Sequence, residues 1–180
     1  LTRADGTPRD HTWTGTIRHD PVDKGTVVVA AFTGNSDPAF PNNDVVEHVA
    51  VHDPDILFFS GDQIYENVGG YGTERSPVDR ACLDYLRKWY LYGWAFRELM
   101  RNRPCISIPD DHDVYQGNIW GAGGRATKRD SLGGYVMPAR WVRMVEQTQT
   151  SHLPDPYDPT PVEQGIGVYY CHMLYGRISF

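Results

Sequence analysis

"ILFFSGDQIYEN", residues 56 to 67, joins two unlike halves. Ile56-Leu57-Phe58-Phe59 is a short apolar run of the kind that fills a buried strand. It stops at Ser60-Gly61, and an acid, Asp62, follows at once, with a phenol three places on at Tyr65. The same design occurs on either side. "TVVVAAF" (26–32) is a β-branched run that reads as a strand buried on both faces, ending in "TGN", and "CISI" (105–108) runs into "PDDHD". Between these runs lie stretches with helical signals. "DVVEHVAVHD" (44–53) has Asn43 or Asp44 available as N-cap, and residues 76–102 are expected to form a long helix with Ser76 as cap and Pro77 in its first turn. In that helix Leu83, Leu86, Tyr90 and Trp94 recur at three- and four-residue steps and are expected to face the core.

Strands alternating with helices make an α/β fold. In such folds ligand chemistry gathers beyond the carboxyl ends of the strands, and here all three strands end in polar sequence. The strand ends are therefore expected to converge on one site. Outside this frame, residues 1–25 are polar and turn-rich, a loop or the tail of a preceding domain, and residues 26–180 carry the fold. A glycine-rich loop spans 117–134, a helix is expected near 138–150, and a proline-rich connector leads to "GVYYCHML" and "RISF", which read as a hairpin turning at Tyr175-Gly176.

Composition narrows the function. The net charge is −6 with no Lys/Arg cluster, which argues against a nucleic-acid scaffold as partner. Nothing approaches the apolar length of a membrane span, and no basic leader precedes an apolar stretch. Three scattered cysteines do not make a disulfide framework. Acidic balance suits a protein that gathers carboxylates around cations.

Two motifs carry the chemistry. A carboxylate on a short arm just past a strand, as at Asp62, can offer one oxygen to each of two cations. Tyr65 is a packing aromatic unless a highly charged ion removes its proton, since a free phenol titrates near 10. The second motif places Asp110, Asp111, His112 and Asp113 in a row directly after a strand. Adjacent carboxylates repel one another unless cations neutralise them, and a histidine among them suits proton transfer. A solvated acidic turn is the plainer alternative for both.

"GDQIY" followed, some 50 residues later, by "DDHD" resembles the PhoD-like alkaline phosphatase branch of the calcineurin-like metallophosphoesterases. The resemblance covers roughly residues 26 to 120. It implies a β-sandwich flanked by helices, residues 26–180 being the N-terminal part of a metallophosphatase domain cut at both ends, and a phosphoric ester hydrolase with a two-metal centre and an activated water. By the same resemblance Asp62 bridges the metals, Tyr65 binds an Fe³⁺ side, Asp111 binds a second ion, Ca²⁺, His112 is the catalytic histidine, and Asn118 is a further ligand. A secreted or periplasmic location and a small-molecule phosphate ester substrate are implied with it. Gly34 stands where the family carries a cysteine ligand, so Mg²⁺, Mn²⁺ or an all-calcium centre stays open beside iron. His152 and His172 lack the family's late-histidine context and are expected at the surface or in packing. In the glycine-rich loop, Arg125 and Arg129, with Lys128, are candidates for phosphate contact through charge-assisted hydrogen bonds. Two other functions fit the same motifs: a catalytically degenerate metal-binding or structural module, and a metal-dependent hydrolase of non-phosphate esters.

Overall fold

The structure, a computed structural model, describes residues 2–35, 42–69, 72–118 and 123–180. Its centre is a three-stranded parallel sheet in the order β1 (Val29–Phe32), β2 (Ile56–Phe59), β3 (Cys105–Ser107). The ladder sets Val29 beside Ile56 and Phe32 beside Phe59, then Leu57 beside Cys105 and Phe59 beside Ser107. Helix α1 (Asn43–Ala50) connects β1 to β2, and α2 (Val78–Met100) connects β2 to β3. Each parallel pair needs such a crossover, so the chain returns to the same end of the sheet and every strand leaves it in the same direction. A third helix, α3 (Ala139–Thr150), follows the glycine-rich loop, and a two-stranded hairpin, β4 (Leu174–Tyr175) and β5 (Ile178–Ser179), closes the chain. The fold is thus mixed α/β around a parallel sheet. Among the described residues no helix is long and apolar enough to cross a membrane.

One face of the sheet holds the core. Phe32 and Phe59 stack with ring centroids 4.4 Å apart, and Phe96 of α2 meets both edge-on. Leu57, Phe59 and Leu99 are essentially inaccessible. Burying a side chain of this size stabilises the fold by about 1.5–3 kcal/mol relative to leaving it exposed. The opposite face differs from the expectation for β1. Val29 and Ala31 are exposed, and Phe58 is only half-buried, against Phe180 with centroids 6.1 Å apart. The β-branched run is therefore buried on one face of the sheet in β1, whereas β2 and β3 bury residues on both faces, Ile56 and Leu57 in one and Ile106 and Ser107 in the other.

The long helix is present, but its faces are reversed from the expected pattern. Leu83, Leu86, Tyr90 and Trp94 are exposed, Leu83 by 68%, while Ala81, Asp84, Tyr85, Lys88, Tyr92 and Phe96 are buried. The buried Lys88 is possible because its ammonium is saturated. It donates to Asp84 Oδ2 at 2.8 Å one turn back, to the Glu66 carbonyl at 2.7 Å and to the Tyr115 hydroxyl at 2.9 Å. A paired, fully hydrogen-bonded charge can occupy a core position that an isolated one cannot. The caps differ as well. Pro77 is the N-cap of α2 and Asn42 that of α1, neither with a side-chain cap bond.

Residues 2–25 run as loops over the outside and are tied down at several points. Lys24 pairs with the buried Asp55 at 2.5 Å, the Thr16 amide donates to the Arg101 carbonyl at 2.9 Å, and Asp20 accepts from the Gly176 amide in the hairpin turn at 2.7 Å.

Candidate metal centre

The loops leaving β2 and β3 lie side by side at one end of the sheet, and a single buried carboxylate fastens them. Asp113 has no exposed surface. Its Oδ1 accepts from the Ile64 amide and the Gln149 side chain, both at 2.9 Å, and its Oδ2 accepts from the Asp62 amide at 2.7 Å and the Asp110 amide at 2.9 Å. Burial pushes the Asp113 carboxyl up to about 6, against the pull of these four donors. Gln149, carried on α3, is itself held by Gln63 at 2.9 Å, and the Ser107 hydroxyl donates to the Gln149 carbonyl at 2.7 Å. Gly61 makes the approach possible. Its φ is +110°, and a Cβ there would collide with Asp110, so neither the turn nor the contact admits a side chain.

With both loops fixed, Asp62, Asp111 and His112 come together, and one ligand atom from each lies within 4.8 Å of the others. Asp62 is the residue most clearly short of a partner. It sits in the left-handed region at φ +56°, its Oδ2 accepts from the Tyr65 hydroxyl at 3.0 Å, and its Oδ1 is buried with no hydrogen bond among the described residues. Burial raises its carboxyl above the usual range, partly offset by the Tyr65 bond and the neighbouring His112. A buried carboxylate oxygen without a donor is costly unless a cation meets it, so this donor set fits a divalent ion.

Tyr65 stacks on the His112 ring, centroids 4.5 Å apart. Burial first, then its bond to Asp62, pushes the phenol up to about 12. A Cβ at Gly34 would sit 3.5 Å from the Tyr65 hydroxyl, so position 34 does adjoin the tyrosine, with nothing there to ligate. Asn35 adds a second orphan, its buried Nδ2 lacking a partner among the described residues.

His112 has a partner that sequence inspection passed over. Its Nδ1 lies 2.9 Å from Glu66 Oε2. Burial pulls the imidazole down, but the Glu66 bond and charge, with Asp62 and Asp111, more than offset this and leave it above its ordinary value. Glu66 follows Tyr65 directly, so its proximity to the first motif was the available signal. Asp113 stood in the acidic row, but its role as a fastener was not readable there, since three of its four partners stand 36 to 51 residues away.

The remaining candidates lie later in the chain, from residue 118 onward. Asn118 is exposed, and its carbonyl accepts from Gln116 at 2.8 Å. The adjoining residues 119–122, part of the loop read as a substrate contact, fall outside the described residues. Arg125 is tied to its own loop, donating to the Leu132 carbonyl at 2.6 Å. Arg129 is exposed beside Lys128 and Asp130. His152 bonds the Cys105 carbonyl at 3.0 Å and His172 the Ser179 hydroxyl at 2.9 Å, both at the surface.

No protein-family model and no curated protein matches the chain. Among solved structures, it is similar to a structure of PhoD, at 18% identity and a TM-score of 0.48. The alignment covers 85% of this chain and 30% of that one, so the chain spans under a third of the length of the protein it matches.

Proposed function

We propose that this chain contributes the Asp62–Tyr65 and Asp111–His112 side of a two-cation centre in a phosphoric ester hydrolase. The observation that carries this is the meeting of Asp62, Asp111 and His112 within 4.8 Å around a buried carboxylate oxygen that has no donor among the described residues. Asp62 and Asp111, with Tyr65 and Asn118 as weaker ligands, would hold the cations, with the rest of the coordination left to groups outside this set. When bound, the cations would supply Lewis acidity toward phosphoryl oxygens and make a nearby water acidic enough to attack. Ca²⁺, Mg²⁺ and Mn²⁺ suit an oxygen-rich set, and Fe³⁺ is disfavoured by the bare glycine beside Tyr65.

The residues themselves do the positioning and the proton work. Glu66 engages Nδ1 of His112, which leaves Nε2 as the nitrogen that hands a proton to the departing ester oxygen. Water oxygen bonds to phosphorus, the ester P–O bond breaks, and the alcohol leaves carrying that proton. The Tyr65 ring, stacked on the imidazole, restrains its plane. The substrate is a small phosphate ester, and the enclosing architecture would be a sandwich in which a second sheet covers Val29, Ala31 and Phe58.

In the full protein carrying this chain, Asp62→Asn should lower turnover of p-nitrophenyl phosphate by at least about a thousandfold and remove bound divalent metal measured by elemental analysis. Retained turnover with retained metal would overturn the assignment. A second reading, a metal-binding module without catalysis, is favoured by Gly34. It requires metal at unit stoichiometry in the wild type with no turnover of any phosphate ester.

A further inference from the structure

Next to Glu66 lies a cavity of about 340 Å³ whose wall includes Glu66, Arg75, Lys128, Arg129, Asp130 and Ser131. It shares Glu66 with the candidate centre, because the same carboxylate meets His112 at 2.9 Å. Three cations thus border one opening in a chain whose net charge is −6. Among the described residues none of the three forms an ion pair. Arg75 is braced from behind, donating through Nη2 to the Tyr115 carbonyl at 2.8 Å, which leaves most of its five donors unused. The two carboxylates on the wall are already engaged, Glu66 by His112 and Asp130 Oδ1 by the Ser131 amide at 2.9 Å. The backbone carrying the other cations is also fixed locally, the Thr127 hydroxyl donating to the Arg129 carbonyl at 2.9 Å.

We infer that this cavity is an anion subsite, built by Arg75, Lys128 and Arg129, that takes a second phosphate or carboxylate of the substrate while the first occupies the metal centre. Resting on the phosphoric ester reading, it narrows the substrate class to esters with two separated anionic groups. Arginine suits the role because its planar fork meets such a group with paired hydrogen bonds, and the lysine adds a point charge. Cations grouped around one opening also raise the local concentration of an anionic substrate, an effect that salt removes.

Two measurements on the full protein test the subsite separately from the chemistry. With metal, kcat/KM for hexane-1,6-diyl bisphosphate should exceed that for hexyl phosphate by tenfold or more at low salt. The Lys128→Ala/Arg129→Ala double variant should reduce that ratio about tenfold, as expected for lost charge-assisted bonds. An equal loss on both esters, or no preference in the wild type, overturns the subsite. With metal chelated, calorimetric titration with inorganic pyrophosphate should show binding that weakens at least tenfold in the double variant and persists in Asp62→Asn. Absence of pyrophosphate binding by the chelated wild type also overturns it. If neither ester is hydrolysed yet pyrophosphate binds and the double variant weakens it, the phosphatase reading falls and the anion site stands.

Discussion

Asp62 and Asp113 are the same residue type, close in space and joined by a hydrogen bond from the amide of one to the carboxylate of the other, yet they are opposites. Asp113 is inaccessible, with every lone-pair direction of consequence filled by an N–H from three backbone positions and one side chain. Asp62 is partly exposed and keeps one oxygen without a donor among the described residues. A satisfied carboxylate holds structure together, whereas an unsatisfied one stores a demand that a ligand can meet. The centre is built by placing the second beside the first.

The sharpest way to break this contrast is to delete the knot. Asp113→Ala leaves four donors buried without an acceptor and should destabilise the protein by about 3–5 kcal/mol in urea unfolding. A loss under about 1 kcal/mol would mean the loops are held by something else. The complementary test uses a cation as the missing partner of Asp62. At a hundredfold excess over Kd, Ca²⁺ or Mn²⁺ should stabilise the wild type by about 2.7 kcal/mol and Asp62→Asn by much less, read as a shift in Tm. Equal stabilisation of both would place the ion elsewhere. Gln149→Leu removes one donor from Asp113 and one acceptor from Gln63, and should cost about 1–3 kcal/mol.

The smallest effect concerns a third aspartate, one satisfied from the surface. Burial raises the Asp55 carboxyl, but the Lys24 hydrogen bond, the Val28 amide and the nearby positive charges outweigh it and hold the group below its usual value. A folded-state value below the unfolded one contributes stability above the ordinary carboxylate range, and that stability disappears as pH falls through the lowered value. Lys24→Met should therefore destabilise by less than about 1 kcal/mol at neutral pH, since the lysine is half-exposed and screened. The difference from wild type should shrink in acid. A difference that persists unchanged at pH 2 would show that Lys24 acts through packing instead.

The strand ends were legible because a buried run that stops at Gly-Asp or at a row of acids leaves a pattern within ten residues. The α/β order and the grouping of Asp62, Asp111 and His112 followed from the same local signals. The inward face of α2 was not legible. Asp84 and Lys88 look like a solvated pair at i,i+4, and only the distant Glu66 carbonyl and Tyr115 hydroxyl turn them inward. The apolar stripe they displace then faces water. Glu66 was missed, and Asp113 was seen only as one of a row of acids, for the same reason: a carboxylate's role is set by which donors the fold brings to it.

The pairing of Phe59 with Ser107 has a consequence for how such a sequence can change over time. Both strands end at this pair, so both loops start from a common line. Inserting or deleting one residue in β2 or β3 would move one loop along by about 3.3 Å and invert its side chains. Lineages descending from this chain are thus free to substitute around the centre, while gains and losses of length are confined to the far ends of the strands and to the helical crossovers.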